Sequence, residues 1–300
     1  MLDLIIIGAG PAGITAAVYA ARKKMDLLVI SKDIGGQTAW SGDIENYTGY
    51  QFVTGPELVA KFEEHMKKNN IALKENEDVI GIEKKKDKVF VKTDKEEYEA
   101  KTVIIASGKR SMELGVPGEE EFKNKGLTYC ATCDGPLFSE KDVAVIGGGN
   151  SALDAALQLT KIANHVYIIN IAKELTGDLI EQDKLKNSKN VTIMNESQVT
   201  AVLGDKFVNA IKIKTKDSEK EIPVQGIFVE IGLIPNSGFA KGVSKNEKQE
   251  IRVDSYNRTN IPGIFAAGDV TDVPEKQIII AAGEGAKATL GAFRYLSRLR

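Results

Sequence analysis

Two glycine-rich turns, each fed by a short apolar run and followed by an alanine-rich segment, leave this chain few folds to adopt. The first run, Leu4-Ile5-Ile6-Ile7, leads into Gly8-Ala9-Gly10-Pro11-Ala12-Gly13, after which Ile14 to Arg22 reads as a helix. The second, Val143-Ala144-Val145-Ile146, leads into Gly147-Gly148-Gly149-Asn150-Ser151-Ala152 and a helix from Leu153 to Lys161. Strand, G-x-G-x-x-G and helix in that order is the context a dinucleotide turn needs. The glycines permit a tight turn and close backbone approach, and the helix N-terminus faces a pyrophosphate. Alanine at the sixth position of the second copy is an accepted variant. Two such turns predict two nucleotides and an α/β chain with two Rossmann-like, three-layer nucleotide-binding domains.

Between the turns lies Tyr129-Cys130-Ala131-Thr132-Cys133-Asp134-Gly135, which holds both cysteines of the 300 residues. A C-x-x-C pair closes a small ring and shuttles two electrons as dithiol and disulfide. Zinc wants four ligands, and the only histidines, His65 and His165, stand apart with no ligand spacing to the cysteines, so no metal site is expected. An inert pair of buried thiols is the alternative. Asp134, directly after the second cysteine, can hold or deliver a proton as a thiolate leaves. The segment reads as a redox active site. A length of 300 residues suggests about two domains. A formal charge of -2 and a pI near 5.9 give no basic excess for nucleic acid. The apolar runs are strand-length, so no membrane span is expected. Only Met1-Leu2-Asp3 precedes the first strand, so no secretory leader is expected. Cysteines spaced for catalysis, with none left for structural bridges, fit a reducing cytoplasm.

Further motifs follow in order: Gly35-Gly36-Gln37, Glu45-Asn46-Tyr47, Thr102-Val103-Ile104-Ile105-Ala106-Ser107-Gly108 and Gly263-Ile264-Phe265-Ala266-Ala267-Gly268-Asp269-Val270. With the two turns and the CATCDG segment, they resemble the low-molecular-weight thioredoxin reductases of the FAD-dependent pyridine nucleotide-disulfide oxidoreductase superfamily, over essentially the whole chain. The resemblance implies an FAD-binding domain in two parts, residues 1–112 and 241–300, with an NAD(P)-binding domain, 113–240, inserted between them and carrying the redox cysteines. It implies FAD contacts from Gly8, Gly10, Pro11, Ala12, Gly13, Gly35, Gly36, Gln37, Asn46, Ser107, Gly108 and Gly268. Asp269 would meet the ribityl chain, and Lys276-Gln277-Ile278 would lie along the flavin ring edge. Ser31 stands where many relatives grip the FAD ribose with an acidic residue, and it can make one hydrogen bond there. For the nicotinamide nucleotide the implied residues are Gly147, Gly149, Asn150, Ser151, Ala152 and Asn170.

The second site departs from the NADPH-using members, whose next strand ends in a His and Arg cluster for the 2′-phosphate. Here Ile171, Ala172 and Thr176 replace the arginines, and Lys173 is a poor substitute for a guanidinium fork. Asn170 would instead hydrogen-bond a free 2′-hydroxyl. This pattern, with Val229-Glu230-Ile231-Gly232-Leu233-Ile234-Pro235-Asn236, is similar to the NADH-using flavoprotein subunit of alkyl hydroperoxide reductase. That protein carries an N-terminal thioredoxin-like domain not seen in this sequence, so a separate thioredoxin- or glutaredoxin-like partner is expected. The resemblance further implies NADH as donor, Cys133 facing the flavin, Cys130 attacking the partner, Asp134 as acid/base and a homodimer. It also implies a rotation of the inserted domain about hinges near 110–117 and 236–245, at Gly115, Pro117, Gly118 and Gly238. Alternative readings are the same reductase fed by ferredoxin, an NADH oxidase, and a non-catalytic FAD-binding redox sensor. Elsewhere, Glu83 to Lys88 is expected as a solvated hairpin turn, and Val208–Lys214 and Gln225–Ile231 as strands. Trp40, His65 and His165 read as packing or surface residues.

Overall fold

The computed structural model describes residues 1–41, 43–44, 46–216 and 218–299, apart from the side chains of Trp40, Asp43 and Cys133. Glu45 of the ENY motif, the Trp40 ring and the Cys133 thiol therefore lie outside the described residues. The chain divides into two compact units: Met1–Arg110 with Ile234–Arg300, and Ser111–Leu233. Both have the expected Rossmann-like α/β fold.

The first unit is built on a seven-stranded sheet. Strands Ala72–Glu75, Leu27–Ile34, Leu2–Ala9, Glu97–Ile105 and Ile264–Ala266 run parallel, with Ile6 opposite both Val29 and Ile104. Lys88–Thr93 and Val79–Lys85 extend the sheet as the expected antiparallel hairpin around Lys86 and Asp87. Strand residues alternate between faces, so Leu4 and Ile6 enter one core with Ile14, Phe265 and Ala288. Ile5 and Ile7 enter the other, with Val89, Val103 and Ile251. Leu4, Ile5 and Ile6 are fully buried, and each contributes roughly 1.5–3 kcal/mol relative to exposure. Small residues bring the first and last helices (Pro11–Arg22 and Ile278–Arg298) together. A Cβ at Gly285 would lie 2.0 Å from the Ala12 oxygen, and Thr289 donates to the Ala16 carbonyl at 3.0 Å.

The second unit repeats the logic. Leu127–Thr128, Gly226–Val229, Asp142–Ile146, His165–Ile169 and Val191–Met194 form an all-parallel five-stranded sheet in that order. Val143 and Val145 pack with Leu153 and Leu159 on one face, Ala144 and Ile146 with Ile211 and Ile213 on the other. Gln198–Gly204, Val208–Lys214 and Glu219–Pro223 make a separate antiparallel sheet. The connecting strands Lys109–Ser111 and Leu233–Pro235 pair as a two-stranded ribbon. Gly115 and Gly118 have positive φ (69° and 85°). Residues 236–245 belong wholly to the first unit. His65 is exposed, and the His165 ring lies tilted against that of Tyr167, with centroids 4.6 Å apart. Among the described residues, no helix is long and apolar enough to cross a membrane.

Candidate active site

In the first unit the parallel strands deliver their C-terminal ends to the first glycine turn. Gly8 has φ +105°, and a Cβ there would sit 2.4 Å from the Ala106 carbonyl oxygen, so no other residue fits. Gly10 caps the first helix without a side chain. A Cβ on it would come no nearer than 3.9 Å to the Gly35 oxygen, and one on Gly36 would lie 3.6 Å from the Gly10 Cα. The two glycine segments thus face each other across backbone-lined room at a helix N-terminus, with Pro11 at the first helical positions and Ala12 and Gly13 buried behind. That cradle suits a pyrophosphate, as an FAD would require. Ser31 stands beside this turn. Its hydroxyl accepts from the Ala9 N–H at 3.0 Å and donates to the Asp33 carbonyl at 2.7 Å, which braces the turn and leaves no proton for a ribose.

The remaining first-unit candidates comprise exposed amide side chains and members of a buried ion network. Asn46 donates to Gln277 at 3.1 Å, Gln37 to the Lys109 carbonyl at 2.9 Å, and Ser107 to the Asn236 carbonyl at 2.7 Å. Lys276 donates to the carbonyls of Thr271 and Val273, at 2.5 and 2.6 Å. Glu250, only 7% exposed, pairs with Lys109 at 2.9 Å and Lys276 at 3.5 Å. Burial alone would raise its pKa. The Asn246 and Lys109 hydrogen bonds and the two lysine charges prevail and bring it down to about 2. Asp269 is shifted the other way: burial raises it, with Glu284 and Glu250 adding to that and Lys276 and Lys109 opposing. Glu284, buried beneath, accepts from the Gly268 N–H at 3.1 Å and from the Thr271 hydroxyl at 3.3 Å. Ile278 opens the last helix and packs on the small Ile44, Val53 and Leu58 cluster.

In the second unit Gly147 has φ +142°, and a Cβ on it would lie 2.2 Å from the Glu230 carbonyl oxygen. Gly149 caps the Asn150–Leu159 helix without a side chain, Ser151 is exposed in its first turn and Ala152 is buried. Asn150 accepts from the Asp178 N–H at 2.8 Å. Asn170 lies at the base of the neighbouring loop. It is 4% exposed; its amide donates to Ala172, Glu174 and Asn195 and accepts from the Ala172 N–H. Placed so, it shapes the loop under Gly148. Ile171, Lys173 and Thr176 are exposed on that loop, and no arginine occurs between residues 111 and 233. Nearby, burial followed by the Asp154 charge raises Glu230 to about 7. Burial and Asp154 also raise Glu181 to about 7.

The redox segment begins where the edge strand Leu127–Thr128 ends. Cys130 is disulfide-bonded. Its N–H donates to the Thr128 hydroxyl at 3.2 Å, and its carbonyl accepts from the Asp134 N–H at 3.2 Å, opening the short helix Ala131–Asp134. The Thr128 hydroxyl in turn donates to the Asp134 carboxylate. Tyr129 donates to Glu119 at 2.8 Å, and the same buried carboxylate accepts the N–H groups of Leu114 and Gly115 at 2.7 and 2.6 Å. Burial and that carboxylate push the Tyr129 phenol well above its ordinary range. Thr128, Glu119, Lys109, Glu250 and Glu284 were absent from the sequence reading. A Thr two residues before a cysteine was the one local signal available.

Three comparisons agree with this geometry. A family model described as pyridine nucleotide-disulphide oxidoreductase matches residues 2–285. The chain is 44% identical over 299 residues to an NADH dehydrogenase of Bacillus subtilis, covering 99% of this chain and 59% of the relative. It is 43% identical over 300 residues to an alkyl hydroperoxide reductase subunit of Staphylococcus aureus, again 99% of this chain and 59% of the relative. The chain thus spans under two thirds of the length of these curated relatives. The crystal structure of Lactococcus lactis thioredoxin reductase superposes with a TM-score of 0.91 at 36% identity, covering 99% of this chain and all of that one. Glycine turns, fold and relatives together show that the chain belongs to the pyridine nucleotide-disulphide oxidoreductase family.

Proposed function

We propose that the protein is a disulfide reductase of thioredoxin reductase type, which takes electrons from NADH in preference to NADPH. They pass by way of FAD and the Cys130–Cys133 pair to a separate thioredoxin- or glutaredoxin-like protein. The observation that carries this reading is the redox segment itself: a disulfide-bonded Cys130 whose backbone is tied through Thr128 to the Asp134 carboxylate. Bound FAD would supply the two-electron relay between a nicotinamide and a disulfide. The first unit's part is to hold it, with the Gly8–Gly13 turn on the pyrophosphate, Asp269 at the ribityl chain and Lys276, Gln277 and Ile278 along the ring. The second unit binds the nicotinamide nucleotide at Gly147–Ala152. It moves protons at Asp134 as Cys130 attacks the partner and Cys133 completes the exchange. The preference for NADH is supported by a loop presenting Ile171, Ala172 and Thr176 in a unit without arginine, and by the likeness to the NADH dehydrogenase of Bacillus subtilis. Losing charge-assisted hydrogen bonds of roughly 1.5–3 kcal/mol each disfavours NADPH by an order of magnitude or more. Rotation of the second unit about the connecting ribbon and a homodimeric assembly belong to the same proposal.

The test is anaerobic titration of the flavin-loaded protein with NADH, NADPH and reduced ferredoxin, followed by addition of a thioredoxin disulfide. Flavin bleaching by NADH and its reversal by the thioredoxin are expected. Equal efficiency with NADPH removes the donor assignment, and a flavin that no protein disulfide reoxidises removes the reductase reading.

A further inference from the structure

Thr128 is the least conspicuous member of the redox segment, and it makes two contacts at once. Its side chain is 6% exposed on the last residue of the edge strand. The single hydroxyl accepts from the Cys130 N–H and donates to the Asp134 carboxylate. We infer that Thr128 is a positioning residue that holds the Asp134 carboxylate in place relative to Cys130 for proton transfer. This rests on the disulfide reductase reading above and deepens it.

The hydroxyl has one proton, and the Cys130 N–H occupies its acceptor side, so that proton is directed at Asp134. Valine has the shape of threonine without the hydroxyl, so it removes both bonds with little change of volume. The short helix Ala131–Asp134 packs mainly on the helix Asn150–Leu159 and the turn Gly135–Phe138. That helix carries one titratable group, Asp154, and the turn carries none; the two cysteines complete the set on the segment's own element.

The Cys130 thiol gives its proton to Asp134, and the thiolate attacks a disulfide sulfur of the partner; one S–S bond forms as the partner's breaks. Asp134 returns the proton to the departing partner thiolate. Cys133 then loses its proton to the same carboxylate and attacks the Cys130 sulfur. The intramolecular disulfide forms, and the second partner thiolate leaves and takes up that proton. Two electrons and two protons have passed from enzyme to partner.

The experiment follows alkylation of Cys130 by iodoacetamide in the dithiothreitol-reduced holoenzyme across the acidic and neutral range, read by mass spectrometry. The variants are Thr128→Val, Thr128→Ser, Asp134→Asn and Thr128→Val with Asp134→Asn, and Asp154→Asn assigns the remaining inflection. Thr128→Val should move the Asp134-dependent inflection of that pH profile upward, because the carboxylate has lost its donor. Thr128→Ser should restore it, and in the Asp134→Asn background Thr128→Val should add nothing. In turnover with dithiobis-nitrobenzoate, Thr128→Val should lose about tenfold in kcat while NADH still bleaches the flavin at the normal rate. Thr128→Ala makes the same comparison if valine does not fold. An unmoved inflection, a serine variant as impaired as valine, or an effect that persists without Asp134 overturns the inference. A moved inflection in an enzyme that reduces no disulfide leaves Thr128's role intact and overturns the reductase reading instead.

Discussion

The two glycine turns have the same backbone plan but opposite electrostatic surroundings. Around the first, charge is paired: Glu250 sits between Lys109 and Lys276 and stays ionised down to about pH 2. Around the second, carboxylates crowd one another, and the Lys184 charge beside Glu181 only partly offsets them. Glu230 and Glu181 both titrate near 7 under burial and the field of Asp154. The braces differ likewise, a serine hydroxyl under the first turn and an asparagine amide under the second. Glu250 thus keeps its charge across the neutral range, whereas Glu230 and Glu181 change theirs near neutrality.

The largest expected effect separates the units outright. Cys130→Ser should abolish disulfide reduction and leave the flavin content and its reduction by NADH intact; flavin loss would show that the redox segment and the flavin site are not independent. Next is Glu250→Ala, which leaves two lysines in a buried site and should cost about 3–5 kcal/mol of stability. Chemical denaturation of the first unit reads this, and a change below 1 kcal/mol would mean the network is solvent-screened. Glu230→Gln tests the second unit. A carboxyl whose folded pKa is raised from 4.5 to about 7 favours folding below pH 4.5, and that contribution is lost as pH rises through 7. Thermal unfolding between those limits should therefore fall with pH in the parent and less so in the glutamine variant, which should be about 1–3 kcal/mol more stable above pH 7. Identical pH slopes would erase the contrast between the units. The smallest effect is on coenzyme choice. Ile171→Arg should improve NADPH over NADH by about tenfold in kcat/KM, whereas Asn170→Arg should damage both through the loop it holds.

Much of the fold was readable because periodicity leaves a mark in the chain. Leu4 and Ile6 against Ile5 and Ile7, or Val143 and Val145 against Ala144 and Ile146, follow from strands covered on both faces. The glycines at 8 and 147 follow from turns that admit no Cβ. What stayed hidden was the spending of hydrogen bonds. Ser31 and Asn170 have the right chemistry for a ribose, but residue type does not reveal that their polar atoms are already engaged. The Lys109, Glu250 and Lys276 network joins residues far apart in the chain. Residues 241–250, polar enough to read as a surface stretch, bury Val243 and Glu250. Glu119 gathers donors from Leu114, Gly115 and Tyr129, a convergence that no spacing rule announces.

The paired connecting strands have a consequence for how the second unit folds. Lys109–Ser111 and Leu233–Pro235 keep the entry and exit of that unit side by side. While the ribbon holds, opening of residues 111–233 yields a closed loop rather than a free coil. Pinning the ends of a chain of this length removes roughly 4–5 kcal/mol of disordered-state entropy by the cross-link analogy. Holding the two ends of the insert together in this way lowers its search cost. The same residues cut free of the first unit should refold more slowly and melt earlier, though every contact inside them is unchanged.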